Sequence, residues 1–172
     1  MRSGPAAVLS GSGSAATLAQ VRRLAAEVPH RSIDPLALAR DGAILSELVQ
    51  WAGEHVRRGP VLLYSTASPE AVRNAQRELG RAEAAALLEH AFGALAVALA
   101  GQGVRRFIVA GGETSGAVLE ALGIRMIGFG EEIDPGVPWT RSLDPAGFDL
   151  ALKSGNFGSP EFFIKALQMR TA

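Results

Sequence analysis

Residues 105–123 read R-R-F-I-V-A-G-G-E-T-S-G-A-V-L-E-A-L-G: an apolar run, two glycines, a polar triplet, then an amphipathic run closed by Gly123. That order describes a buried strand breaking directly into a helix. A helix that starts at such a break presents unpaired backbone N–H groups, and these attract anions such as phosphate. The arrangement recurs at both ends of the chain. Ala6 to Leu9 runs into S-G-S-G-S (10–14), followed by Leu18, Val21, Leu24 and Ala25 at helical spacing. F-D-L-A-L (148–152) runs into K-S-G-N-F-G (153–158), followed by Phe162, Phe163, Ala166 and Leu167. Ligands of open parallel sheets sit at the carboxyl ends of the strands, so the three loops are expected to converge on one ligand.

Working outward, the periodicity predicts strands near 6–9, 29–33, 60–65, 105–110, 124–129 and 148–152. Helices are expected near 15–27, 41–58, 69–79, 82–102, 114–122 and 160–169. Gly80 divides two successive helices, and 82–102 is apolar enough in its second half to be buried. The alternation implies an α/β fold with a mainly parallel sheet and helices on both faces, a Rossmann-like three-layer architecture. Residues 1–172 are read as one domain. The stretch 130–147 stands out as irregular, with Asp134-Pro135-Gly136 placed as in a type II turn.

Composition narrows the function classes. Of 172 residues, 48% are hydrophobic and 20% charged, enough for one well-buried domain. The 17 basic and 17 acidic residues cancel, so no global field favours nucleic acid or an anionic membrane, and any anion site is local. The chain lacks cysteine, which excludes disulfides and thiolate metal sites. No apolar stretch reaches the length of a membrane span and no signal peptide is legible, so a cytoplasmic protein is expected. Only two of the basic residues are lysines. Lys165 reads as a solvated helix residue, whereas Lys153 stands at a strand end beside glycines, where a compact cation suits a phosphate.

Each loop also has a plainer reading, which for S-G-S-G-S (10–14) is a Ser/Gly turn that caps a helix. Gly11, Gly13 and Ala16 satisfy G-x-G-x-x-A, and Asp34 lies where a dinucleotide fold keeps its ribose-binding acid, so an NAD(P)-binding domain of an oxidoreductase is an alternative. In Gly111-Gly112-Glu113-Thr114-Ser115 the plain reading is a tight turn with Thr114 or Glu113 capping the helix. Trp139 reads as packing. His30, His55 and His90 show no metal-ligand spacing, and neither a Ser/His/Asp set nor a metal motif can be assembled.

Four ordered motifs, S-G-S-G-S-A-A-T-L-A-Q (10–20), G-G-E-T-S (111–115), E-I-D-P-G-V-P-W (132–139) and L-K-S-G-N-F-G (152–158), resemble the C-terminal nucleotide-binding domain of the four-carbon acid sugar kinases. The resemblance spans about residues 5–168. It implies ATP- and Mg²⁺-dependent phosphorylation of a threonate, erythronate or oxo-tetronate, with nucleotide contacts from Ser10, Ser12, Gly111, Gly112, Glu113, Thr114 and Gly155. Lys153 joins this set as a charge beside the phosphates. Gly13 stands where the family commonly has Cys. Family members also carry an N-terminal sugar-binding half that opens with an Asp-Asp motif, and nothing in these residues matches it. The acceptor site and general base are therefore expected from that half, in cis or trans, and the chain by itself is expected to be inactive. A non-catalytic nucleotide-binding or interaction protein is the remaining alternative, and homo-oligomerisation is left open.

Overall fold

The computed structural model describes residues 4–65, 69–143 and 147–169. Seven strands form one sheet: β1 (Ala6–Ser10), β2 (His30–Ser32), β3 (Val61–Tyr64), β4 (Arg106–Ala110), β5 (Ile127–Asp134), β6 (Val137–Ser142) and β7 (Asp149–Lys153). Their order is β2-β3-β1-β4-β7-β6-β5. The first five are mutually parallel, while β6 runs antiparallel to both β7 and β5. The α/β class and the mainly parallel sheet are as expected.

The helices are α1 (Ala15–Ala25), α2 (Pro35–Arg40), α3 (Ala43–Val56), α4 (Pro69–Leu79), α5 (Arg81–Gly101), α6 (Gly112–Ala121) and α7 (Phe162–Gln168). Strand alternation sends Leu9, Val109 and Leu150 to one face, where they meet Leu48 and Ala52 of α3, Phe92 and Leu95 of α5, and Val118 of α6. Val8, Ile108 and Ala151 point to the other face, against Val21 and Leu24 of α1 and Phe162, Phe163 and Ala166 of α7. Gly80 does separate α4 from α5, at φ +84. By length and composition α5 is apolar enough to cross a membrane, contrary to the expectation that no stretch would be. Its second half instead packs in the core, with Phe92, Leu95, Ala96 and Leu99 fully buried.

Two elements differ from the sequence reading. Asp34 starts an extra helix, α2: its Oδ1 accepts the Leu36 N–H at 2.9 Å and Pro35 fills the first helical position. The segment 130–147 is not irregular over its described part. Residues 127–142 form a hairpin, β5 to β6, closed by Pro135-Gly136 with Gly136 at φ +80, as a type II turn requires. The hairpin carries Ile133, Val137 and Trp139 into the α1/α7 core, so Trp139 is a packing residue. Its alternation was hidden by the bulge between Phe129 and Glu132 and by exposure of residues 129–132, which removes the period-two signal.

The hairpin tip is pinned to the segment before α7. Asp134, buried, accepts the Ser159 N–H and Oγ–H at 2.8 Å each and the Lys165 ammonium at 2.6 Å. Lys165 is thus an ion-pair partner rather than a merely solvated residue. Burial pushes the Asp134 carboxyl up, but Lys165 and Ser159 together outweigh that and hold it below the usual range. A group lowered in this way stabilises the fold above its unfolded pKa, and that contribution is lost as pH falls through the folded value. Asp134→Ala is expected to cost about 2 kcal/mol, the scale of hydrogen bonds to a charged group, because the half-exposed Lys165 left behind can hydrate. Urea melts of the two proteins near neutral pH and in strong acid check this: the gap should close in acid.

Candidate nucleotide site

The three loops meet at one place. β1, β4 and β7 are adjacent and parallel, and the sheet bonding continues one residue past them: Gly11 N–H donates to Ala110 O and Gly111 N–H to Lys153 O, both at 2.9 Å. The chain leaves β1 towards α1 on one face and leaves β4 towards α6 on the other. The crevice between their carboxyl ends is the topological switch point, where open α/β sheets bind ligands.

Glycines are needed here because the loops touch. Gly111 has φ +117, and a Cβ on it would lie 3.1 Å from Thr114 Oγ1 and 3.3 Å from Ser12 N. A Cβ on Gly155 would lie 3.1 Å from both Cβ and Oγ of Ser14, so the first and third loops are in van der Waals contact. Gly112 is the opposite case: a Cβ there would meet nothing within 4 Å.

α6 starts at Gly112, two residues earlier than expected, with Gly111 in the capping position and no side-chain cap. The readings of Thr114 or Glu113 as the cap are therefore overturned. Thr114 is buried against Gly11, and Glu113 is exposed on the first turn, where the helix dipole favours a carboxylate. The first backbone bond of α6 is Ser115 N–H to Gly111 O at 2.9 Å, which leaves the N–H groups of Gly112, Glu113 and Thr114 without an acceptor among the described residues.

Ser12 Oγ, half-buried, accepts the Ser14 N–H at 3.3 Å. Ser10 is fully buried, and strand alternation places its side chain on the face it shares with Val8, the face that α1 covers.

Lys153 is 3% exposed. Its ammonium donates to Thr17 Oγ1 at 2.8 Å, Ser154 O at 3.1 Å and Gly155 O at 3.2 Å, and lies 6.0 Å from the Phe162 ring centroid. The Gly155 carbonyl also accepts from Thr17 Oγ1 at 2.7 Å and from Ser14 Oγ. With that trans peptide's carbonyl drawn towards α1, the Asn156 N–H faces the opposite way, out of the loop. Lys153 thus stands behind the third loop and holds it from below.

Burial lowers the Lys153 pKa to about 8 from the ordinary 10.5. Between those values the unfolded chain holds a proton that the folded one has lost, so this group makes the domain more stable as pH rises from about 8 to 10.5. Lys153→Met should remove that rise, read as the change in urea midpoint between pH 8 and pH 10.

Thr17 and Gln20 were missed by sequence reasoning. Ser14 caps α1 by accepting the Thr17 N–H at 3.2 Å, as the plain reading of this loop expects. Gln20 Nε2 reaches the carbonyls of Phe157, Gly158 and Ser159 at 2.9–3.1 Å. Nothing local marks a contact made across more than 130 residues.

The dinucleotide alternative loses its geometry. β3 lies between β1 and β2, so Asp34 ends a strand about 10 Å from β1 rather than beside it, and its Oδ1 is engaged in capping α2.

Comparison with known proteins identifies the family. The nucleotide-binding C-terminal domain family matches residues 7–163. A 3-oxo-tetronate kinase of Pseudomonas fluorescens is 53% identical over 161 residues, covering 93% of this chain and 37% of that protein. One of Cupriavidus necator is 50% identical over 166 residues, covering 96% and 38%. A crystal structure from Haemophilus influenzae superposes with a TM-score of 0.92 at 36% identity, covering 97% of this chain and 40% of that one. The chain therefore spans about two fifths of the length of these relatives. Its loops, its strand order and these matches together place it in the nucleotide-binding C-terminal domain family of the four-carbon acid sugar kinases.

Proposed function

We propose that this chain is the ATP-binding part of a kinase that phosphorylates a four-carbon sugar acid of the threonate, erythronate or oxo-tetronate type, the acceptor being held by an N-terminal sugar-binding region in cis or trans. The observation that carries the reading is the meeting of three loops at the switch point around the open space over Gly112. Backbone N–H groups of Gly112, Glu113 and Thr114 suit phosphate oxygens, with Gly111 shaping the turn. The backbone of Ser10, the Ser12 hydroxyl and the Gly155 loop border the same space. Lys153 adds positive potential from behind that loop. Bound Mg²⁺ would neutralise phosphate charge in the transfer. The described residues hold no group of three or more His, Asp or Glu able to bind a metal; a metal arriving with the nucleotide would be held by phosphate oxygens, and Glu113, on the first turn of α6, could hold one of its waters. Such a metabolic kinase would work in the cytoplasm.

Ligand at 100 times its dissociation constant should stabilise the domain by about 2.7 kcal/mol. Thermal shifts with Mg-ATP, ADP and NAD test the assignment, and stabilisation by NAD with none by ATP would overturn it. Affinity for ATP is also expected to fall as pH rises through about 8, where Lys153 loses its charge. In Lys153→Met, titration calorimetry should find that pH dependence gone.

A further inference from the structure

Resting on the nucleotide reading, we propose that Thr17 is a positioning residue for phosphate: its hydroxyl, between the Lys153 ammonium and the Gly155 carbonyl, fixes the Gly155-Asn156 peptide so that the Asn156 N–H is presented to a phosphate oxygen. Thr17 belongs to α1 and is fully buried, so it acts through the loop and does not itself touch the ligand. Its one hydroxyl proton goes to Gly155 O at 2.7 Å, which leaves the Oγ1 lone pairs to accept the ammonium at 2.8 Å. The chain of donors therefore runs one way, from cation to carbonyl, and each bond in such a chain polarises the next. Because the carbonyl is drawn towards α1, the N–H of the same trans peptide faces away from it. α1 and α6 lie on opposite faces of the sheet, so away from α1 is towards the start of α6.

Two observations favour an anion-directed device over a clamp that only closes the loop. Lys153 is buried, yet it forms no ion pair with a carboxylate among the described residues. A buried cation without a counter-charge is costly, and a neutral donor would satisfy the same oxygens. An incoming phosphate supplies the opposite charge. The Gly155 carbonyl, with two lone pairs, is also met by three donors: Thr17 Oγ1, Ser14 Oγ and, at 3.2 Å, Lys153 Nζ. Its orientation is thus fixed more firmly than one or two bonds would require. The rest of the loop is held in the same sense. Gln20, three residues further along the same side of α1, donates to the carbonyls of Phe157, Gly158 and Ser159. α1 takes the carbonyls, and the Asn156 N–H is left without an acceptor among the described residues.

The test separates the hydroxyl from the shape of the side chain. Thr17→Val keeps the shape and removes the hydroxyl, whereas Thr17→Ser keeps the hydroxyl. Titration calorimetry with ADP and with inorganic tripolyphosphate should find both ligands about tenfold weaker on Thr17→Val, with Thr17→Ser within about threefold of wild type. A folded Thr17→Val protein that binds both as wild type does would overturn the inference. So would a Thr17→Ser protein as weak as Thr17→Val, since packing and not the hydroxyl would then be what matters. Amide NMR of the wild-type chain gives a readout that needs no variant to fold. Saturating tripolyphosphate should move the Asn156 N–H resonance downfield as it gains an acceptor. A wild-type chain that binds neither ADP nor tripolyphosphate would overturn the nucleotide reading itself, whereas one that binds both and leaves the Asn156 resonance unmoved would overturn only the positioning role.

Discussion

Incubated with Mg-ATP and a panel of threonates, erythronates and oxo-tetronates, the 172 residues alone are expected to bind nucleotide and to release no phosphorylated acid. Everything the crevice offers is suited to the donor: amide hydrogens at the start of α6, the Gly155 loop, and a lysine behind it. Phosphoryl transfer is catalysed mainly by positioning and charge stabilisation, and an acceptor hydroxyl must be held in line with the leaving phosphate. Loss of that positioning removes about 7–11 kcal/mol of catalytic advantage, which puts turnover beyond detection. The relatives are more than twice as long as this chain, and in the proposed kinase the acceptor side would lie in their remaining three fifths. Adding the N-terminal portion of a related kinase should restore product, measured by coupled ADP release and by mass spectrometry of the acid. Kinase-like rates from the chain alone would refute the division of labour and turn attention to the β5–β6 hairpin.

Gly111→Val and Gly112→Val, one residue apart, should fail in opposite ways. At Gly111 the side chain meets a backbone at φ +117 and two close neighbours, Thr114 Oγ1 and Ser12 N. Strain and overpacking together are expected to cost about 3–5 kcal/mol, seen as a lowered urea midpoint and lost convergence of the loops. At Gly112 the backbone is helical and the space is open, so stability should stay within about 0.5 kcal/mol of wild type. The valine would instead occupy the volume over the free amides. Losing one or two hydrogen bonds to a charged phosphate predicts about 100-fold weaker ATP binding. Equal ATP affinity in Gly112→Val and wild type would mean that phosphate does not approach the start of α6. A Gly111→Val protein as stable as wild type would contradict the geometry of the loop.

Much of this was legible in the chain before folding, for local reasons. A strand that breaks into Gly-Gly and then a helical period has few other conformations open to it. Gly80 and Gly123 ended or divided helices where they were expected to, both with positive φ. α2 was missed because six residues carry less than two turns of periodicity, although Asp34-Pro35 is a cap followed by a first-turn proline. Of the hairpin, the start of β5 and the turn at Pro135-Gly136 were legible, while β6 and the rest of β5 were missed because they alternate only where they are buried.

By itself the sequence determined that three strand ends carry glycine-rich loops, that the sheet is mainly parallel, and, through four ordered motifs, which family the chain resembles. Backbone conformation and burial period are short-range properties, and they are written in neighbouring residues. Only the tertiary structure decided that β1, β4 and β7 are neighbours, that β3 separates Asp34 from the first loop, and that Ser10 is fully buried. It also placed Lys153 beneath the third loop through Thr17, a contact spanning 136 residues. Strand order and the direction of a buried side chain are set by packing across the whole chain, and no window of sequence contains both partners.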